Sequence, residues 1–113
     1  MSERKLHIAI VGAGMGGLTV AAALHRRDFA VRVYEQATQF TRLGAGIQMS
    51  PNAMRVLRGL DLEVQIMRTG YQPQSWSNRE WDSGAMKFDL PFGDIAEQKY
   101  SAPYVLLHRG DLQ

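Results

Sequence analysis

Leu6-His7-Ile8-Ala9-Ile10-Val11-Gly12-Ala13-Gly14-Met15-Gly16-Gly17 is the stretch on which the reading of this chain turns. Its first half is short, rich in branched residues and stopped by Gly12, the pattern of a buried strand about 20 Å long. From Met15 to Arg26 the alanines and leucines suit a helix. Leu18, Ala21, Ala22 and Leu24 would meet an apolar neighbour, and Arg26-Arg27 stand at the end where cations are favoured. Ala30-Val31-Arg32-Val33-Tyr34 then reads as a second strand. Two strands joined by a helix over so short a span form a βαβ unit, so the crossover is expected to be right-handed and the strands parallel.

Gly12, Gly14 and Gly17 form G-x-G-x-x-G between strand and helix, and Glu35 stands at the end of the second strand, eighteen residues beyond Gly17. Gly12 allows a tight turn, Gly14 leaves space for a pyrophosphate against backbone, and Gly17 lets the helix pack closely on the strand. The helix N-terminus offers unpaired N–H groups to phosphate oxygens. Glu35 is placed to accept ribose hydroxyls and to repel a 2′-phosphate. Taken alone, the glycines equally describe a glycine-rich turn; with strand, helix and acidic residue in register they read as a dinucleotide-binding signature. The signature does not separate FAD from NAD, because both present adenosine, ribose and pyrophosphate to the same unit.

The rest of the chain bounds the reading. With 113 residues, 45% of them hydrophobic and 21% charged, the composition is that of one ordinary globular domain and excludes disorder, collagen and coiled coil. The absence of cysteine removes disulfides, thiolate metal sites and a cysteine nucleophile, and no other metal-ligand spacing occurs. Thirteen Lys and Arg against eleven Asp and Glu give +2, and the arginines are scattered, so no nucleic-acid footprint is read. The apolar run from Leu6 to Val11 is too short for a signal peptide or a membrane span, which makes a cytoplasmic protein the expectation.

Beyond Glu35, a polar stretch leads to Arg42 and then to Gly44-Ala45-Gly46-Ile47-Gln48, whose glycines prevent helix and let backbone lie close to a partner. Ser50 is read as the cap and Pro51 as the first residue of a helix with Ala53, Leu57 and Leu60 on one face. Asp61 is read as capping a short helix closed by Gly70. Residues 75–81 and 85–90 flank Asp82-Ser83-Gly84 as a hairpin, with Met86, Phe88 and Leu90 making one apolar face and the other face wet. Tyr104 to Leu107 reads as a last strand. Asp111 resembles the N-cap of a helix that only two further residues follow, so the chain reads as a fragment. His7, His25 and His108 read as structural, and the methionines, Trp76 and Trp81 as packing; no residue reads as a catalytic acid or base.

Thr41-Arg42-Leu43-Gly44-Ala45-Gly46-Ile47-Gln48-Met49-Ser50-Pro51-Asn52-Ala53, set after the G-x-G-x-x-G and Glu35 and followed by Leu107-His108-Arg109-Gly110-Asp111-Leu112, resembles the single-component FAD-dependent aromatic hydroxylases. Among these it looks most like the salicylate hydroxylase and 6-hydroxynicotinate 3-monooxygenase group. The resemblance covers essentially the whole chain and implies an α/β fold: a Rossmann-like dinucleotide-binding βαβ start with an added antiparallel hairpin. Residues 1–113 would form the N-terminal part of an incomplete FAD-binding domain. It implies that Gly12, Gly14, Gly17 and Glu35 hold the ADP half of FAD, that Arg42 and the Gly44 to Ile47 backbone, Gly46 included, approach the flavin half, and that Gln48 lies where the chain passes the flavin. Arg109 matches the arginine of the family's H-R-x-D-L motif, which contacts FAD, and a guanidinium forks onto phosphate or hydroxyl oxygens.

The implied chemistry is reduction of FAD by NAD(P)H and oxygen-dependent hydroxylation of a small aromatic or pyridine carboxylate. Gln48 departs from the histidine expected at that place in the 6-hydroxynicotinate enzymes. By residue chemistry alone Arg42 and Arg109 also read as solvated charges. A self-contained dinucleotide-binding module without hydroxylase activity and an inactive shortened product stand as the alternative readings.

Overall fold

A computed structural model of the chain describes residues 6–40 and 44–113. These divide into two units, one within Met1–Gly44 together with Arg109–Gln113, the other Ala45–His108.

In the first unit the branched residues of β1 (His7–Val11) and β2 (Ala30–Tyr34) pair in parallel, with His7 opposite Ala30 and Val11 opposite Tyr34. Helix α1 (Met15–His25) crosses between them, as the βαβ reading requires. Alternation along the strands turns Ile8, Ile10, Val31 and Val33 to the half-covered side, while His7, Ala9, Arg32 and Tyr34 are exposed. The buried strand expected from sequence is therefore corrected to a strand covered on one face: Val11 is 89% exposed. Helix α5 (Arg109–Leu112) follows directly on the last strand, which places Asp111 inside a helical turn and not at an N-cap.

The second unit holds nearly all of the fully buried apolar side chains among the described residues. Strands β3 (Gly46–Met49) and β6 (Val105–His108) pair antiparallel, and a bridge from Tyr71 to Leu106 lengthens the ladder on the other edge of β6. Met49, Met54, Leu57, Ile66, Ala96, Ala102, Val105 and Leu107 make the core. Helix α2 (Pro51–Gly59) starts with Pro51 at its first turn as expected, and Ser50 is its N-cap. The Ser50 hydroxyl, however, hydrogen-bonds Asn52 Oδ1 and caps no backbone N–H. In α3 (Glu63–Thr69) the N-cap is Leu62 and not Asp61, which occupies the left-handed turn at φ 59°. Arg58 of α2 donates through Nη2 to Glu63 Oε1 at 2.8 Å and through Nη1 to the Ser101 carbonyl at 2.7 Å, fastening three segments.

The hairpin is present as β4 (Ser75–Arg79) and β5 (Met86–Pro91), with the turn residue Gly84 at φ +70°. Its expected half-buried face is corrected: every residue of β5 is exposed, and Trp76 packs edge-on against Phe88 at 5.6 Å between ring centroids. Trp81, read as packing, is 93% exposed. Helix α4 (Gly93–Tyr100) had no counterpart in the sequence reading. The described strands form three two-stranded sheets, β1-β2, β3-β6 and β4-β5.

Candidate functional site

Where β1 ends, the chain must turn back across β2 to start α1, and Gly12 makes that turn at φ +97°, a conformation that strains any residue with a Cβ. The Gly12 N–H donates to the Tyr34 carbonyl at 2.7 Å, pinning the turn to the end of β2. Ala13 is buried, and its N–H donates to Glu35 Oε2 at 2.8 Å. The other carboxylate oxygen, Oε1, accepts the Ala37 N–H at 2.9 Å. These N–H groups, Ala37 first and Ala13 second, hold the Glu35 carboxyl below its ordinary pKa, since each stabilises the charged form. On the far side of the same segment, Gln113 Nε2 donates to the Ala13 carbonyl at 3.5 Å, a long contact.

Gly14 is the N-cap of α1, with φ −70° and ψ 175°, and its carbonyl accepts the Leu18 N–H at 2.9 Å to begin the helix. No side chain caps this end and no acidic residue lies in the first turn. The first-turn N–H groups and the positive end of the helix dipole are thus left for an anion.

The glycines of the loop divide by what a side chain would meet. A Cβ on Gly12, Gly14 or Gly16 would enter open space, whereas one on Gly17 would stand 2.1 Å from the Gly12 carbonyl oxygen and 3.4 Å from Ile10 Cγ2. Gly17 is required for packing α1 on β1, and Gly14 keeps a surface clear. A clear backbone surface at an uncapped helix N-terminus, beside a carboxylate with acceptor capacity left over, fits a diphosphate joined to a ribose. The residues present therefore suit the ADP half of a dinucleotide.

The other sequence candidates fall as follows. Arg42 lies outside the described residues. Arg109 is exposed at the start of α5, and its Cβ and Cδ lie 3.6 Å from where a Cβ on Gly44 would sit, so its stem runs along that glycine in the first unit. Gly46 and Gln48 belong to the second unit, on β3. The Gln48 amide oxygen accepts the Tyr104 hydroxyl at 2.6 Å, and Tyr104 is itself stacked on Phe92 with centroids 4.3 Å apart. This leaves the Gln48 NH2 as a donor on a fixed side chain. Sequence reasoning missed Ala13, Ala37, Gln113 and Tyr104. The first two act through backbone N–H groups, which no side-chain type announces. Among the described residues no group of three or more His, Cys, Asp or Glu could hold a metal ion.

A glycine turn joining parallel strands to an uncapped helix, with an acidic residue closing β2, defines a dinucleotide-binding βαβ unit. Residues 10–78 match the NAD(P)-binding Rossmann-like domain family, and the chain belongs to that family. It is 47% identical over 109 residues to a 6-hydroxynicotinate 3-monooxygenase of Bordetella bronchiseptica, an alignment covering 96% of this chain and 28% of the relative. It is likewise 47% identical over 112 residues to a 3-amino-4-hydroxybenzoate 2-monooxygenase of Streptomyces cremeus, covering 99% of this chain and 28% of that protein. The chain thus spans a little over a quarter of the length of the curated relatives it matches. Among solved structures, Klebsiella pneumoniae HpxO complexed with FAD and uric acid superposes with a TM-score of 0.81 at 24% identity, over 95% of this chain and 26% of that one. The tetrameric form of 2-methyl-3-hydroxypyridine-5-carboxylic acid oxygenase gives 0.81 at 24% identity, over 96% and 27%. At these identities the structures speak for the fold. The resemblance to FAD-dependent aromatic hydroxylases read from the sequence agrees with the names of the relatives. Among the described residues no helix is long and apolar enough to cross a membrane.

Proposed function

We propose that this chain is the FAD-binding portion of a flavin-dependent monooxygenase that hydroxylates a small aromatic or pyridine carboxylate, with NAD(P)H as electron donor and O2 as oxidant. The observation that carries the proposal is the clear backbone surface over Gly12 and Gly14 beside the Glu35 carboxylate. The relatives named as monooxygenases of 6-hydroxynicotinate and 3-amino-4-hydroxybenzoate support the flavin reading over a purely nicotinamide one. On this reading residues 1–113 are the N-terminal part of an FAD-binding domain.

Gly12 and Gly14 admit the pyrophosphate, the first turn of α1 donates to it, and Gly17 keeps that turn seated on β1. Glu35 accepts the ribose hydroxyls, and its charge works against a 2′-phosphate at this site. Arg42, the backbone at Gly46 and Gln48 approach the flavin half, with the Gln48 NH2 as a donor held by Tyr104. Arg109 forks onto cofactor oxygens. FAD, when bound, would supply the redox chemistry between NAD(P)H and O2. The chain's own residues bind and orient it. On this reading the protein works in the cytoplasm, where NAD(P)H is at hand.

The test is to purify the protein from its whole reading frame, identify the released nucleotide by mass, and follow oxygen uptake with NADH or NADPH and a set of ring acids. The set would include 6-hydroxynicotinate, salicylate and 3-amino-4-hydroxybenzoate. The expected result is a yellow protein releasing FAD, with uptake stimulated by at least one acid. Released NAD would overturn the flavin assignment, and a flavoprotein unstimulated by every acid would overturn the hydroxylase assignment.

A further inference from the structure

We propose that Glu35 is a positioning residue for the pyrophosphate-binding loop, acting through the Ala13 peptide, in addition to any contact it makes with ribose. The inference rests on the dinucleotide reading of the Gly12–Gly17 turn and deepens it. The Ala13 N–H donates to Glu35 Oε2 at 2.8 Å, and the neighbouring Gly12 N–H donates to the Tyr34 carbonyl at 2.7 Å. Two consecutive N–H groups of the turn are thus tied to two consecutive residues at the end of β2. Glu35 is itself held by the Ala37 N–H at 2.9 Å, so the carboxylate that fixes the loop is fixed in its turn.

A loop this rich in glycine has many conformations open to it, and ordering it at the moment of binding would weaken the affinity for a diphosphate. Hydrogen bonds from backbone N–H groups to an ionised carboxylate are among the strong ones, and here they do that ordering in advance. Both roles fit one side chain. The backbone N–H groups of Ala37, Ala13 and Gln36 reach the carboxylate, and with about four acceptor directions on its two oxygens one is left for a hydroxyl. Gln in place of Glu35 cannot serve both amides, because one of its two terminal atoms is an NH2 facing an N–H.

Two probes separate the roles: ADP, and 2′,3′-dideoxy-ADP, which keeps the diphosphate and lacks both ribose hydroxyls. Titrated into the wild-type protein from its whole reading frame, freed of nucleotide, and into its Glu35→Gln variant, the second probe should lose about tenfold in affinity on substitution, the size of one charge-assisted hydrogen bond. A ribose-only role predicts loss for ADP and none for the dideoxy probe, and that result would overturn the positioning role while leaving the dinucleotide site intact. Wild-type protein from the whole reading frame that binds neither probe would overturn the dinucleotide reading and this inference with it. A measurement needing no variant accompanies these: the Ala13 amide proton shift in the wild type should follow the titration of one carboxyl in acid. A shift that stays flat through that titration would sink the latch whatever Glu35→Gln does.

Discussion

Gly17 and Gly14 stand three residues apart in one motif, and substituting them should have opposite consequences. A Cβ on Gly17 would lie 2.1 Å from the Gly12 carbonyl oxygen, which is backbone and cannot swing aside. Gly17→Ala should therefore destabilise the fold by about 1–3 kcal/mol, as overpacking does, measured by denaturant unfolding. Wild-type stability in that variant would contradict the packing described for α1. Glu35 gives a second prediction. Its folded pKa is lowered by the N–H groups of Ala37 and Ala13, so its contribution is fully present above the ordinary carboxylate pKa and is lost as pH falls through the folded value. Nucleotide affinity should be level through neutrality and fall only in acid, below the ordinary carboxylate range. A decline already at pH 6–7 would point to a histidine and away from Glu35. The spacing of Gly12, Gly14, Gly17 and Glu35 was readable in the sequence because each side chain, or its lack, has a chemical purpose. The bond from Ala13 to Glu35 was not readable, since a backbone donor looks the same in every residue.

Gly70 shows the same lesson at the scale of elements. It closes α3 as the sequence suggested, yet its φ of −83° is ordinary, so the expected glycine cap geometry is not the reason for it. A Cβ there would lie 2.3 Å from Val105 Cγ1 and 2.9 Å from the Ile66 carbonyl oxygen, so glycine permits the close approach of α3 to β6. Gly70→Ala should lower the stability by about 1–3 kcal/mol in thermal or denaturant melts, and an unchanged midpoint would contradict that packing. The β1-α1-β2 run was legible because its periods are clean: alternating branched residues, an Ala- and Leu-rich helix, then alternation again. Strand β3 was hidden by its glycine-rich approach, and α4 buries only Ala96, which leaves too little apolar pattern to announce a helix. Asp111 misled for a related reason. A capping residue type marks a helix start only when the preceding chain is extended, and here α5 begins already at Arg109.

For the whole molecule, pattern specifies which residues share a face and leaves unsaid what covers it. The Met86, Phe88 and Leu90 alternation correctly grouped those side chains, and each remains more than 40% exposed. The core forms instead around β3, β6 and helices α2 to α4 in the second unit, while the Gly12–Gly17 turn and Glu35 lie in the first. That separation of packing from site is what makes a clean test available, because Gly14 is backbone surface with nothing within 4 Å of an added Cβ. The direct measurement is the FAD dissociation constant of the wild-type protein from its whole reading frame and of its Gly14→Val variant at neutral pH, with a far-ultraviolet melt of each to establish that both are folded. The valine should occupy the space of the pyrophosphate and weaken FAD at least about tenfold without abolishing the melting transition. Equal FAD affinity in two folded proteins would contradict the assignment of this turn as the dinucleotide site.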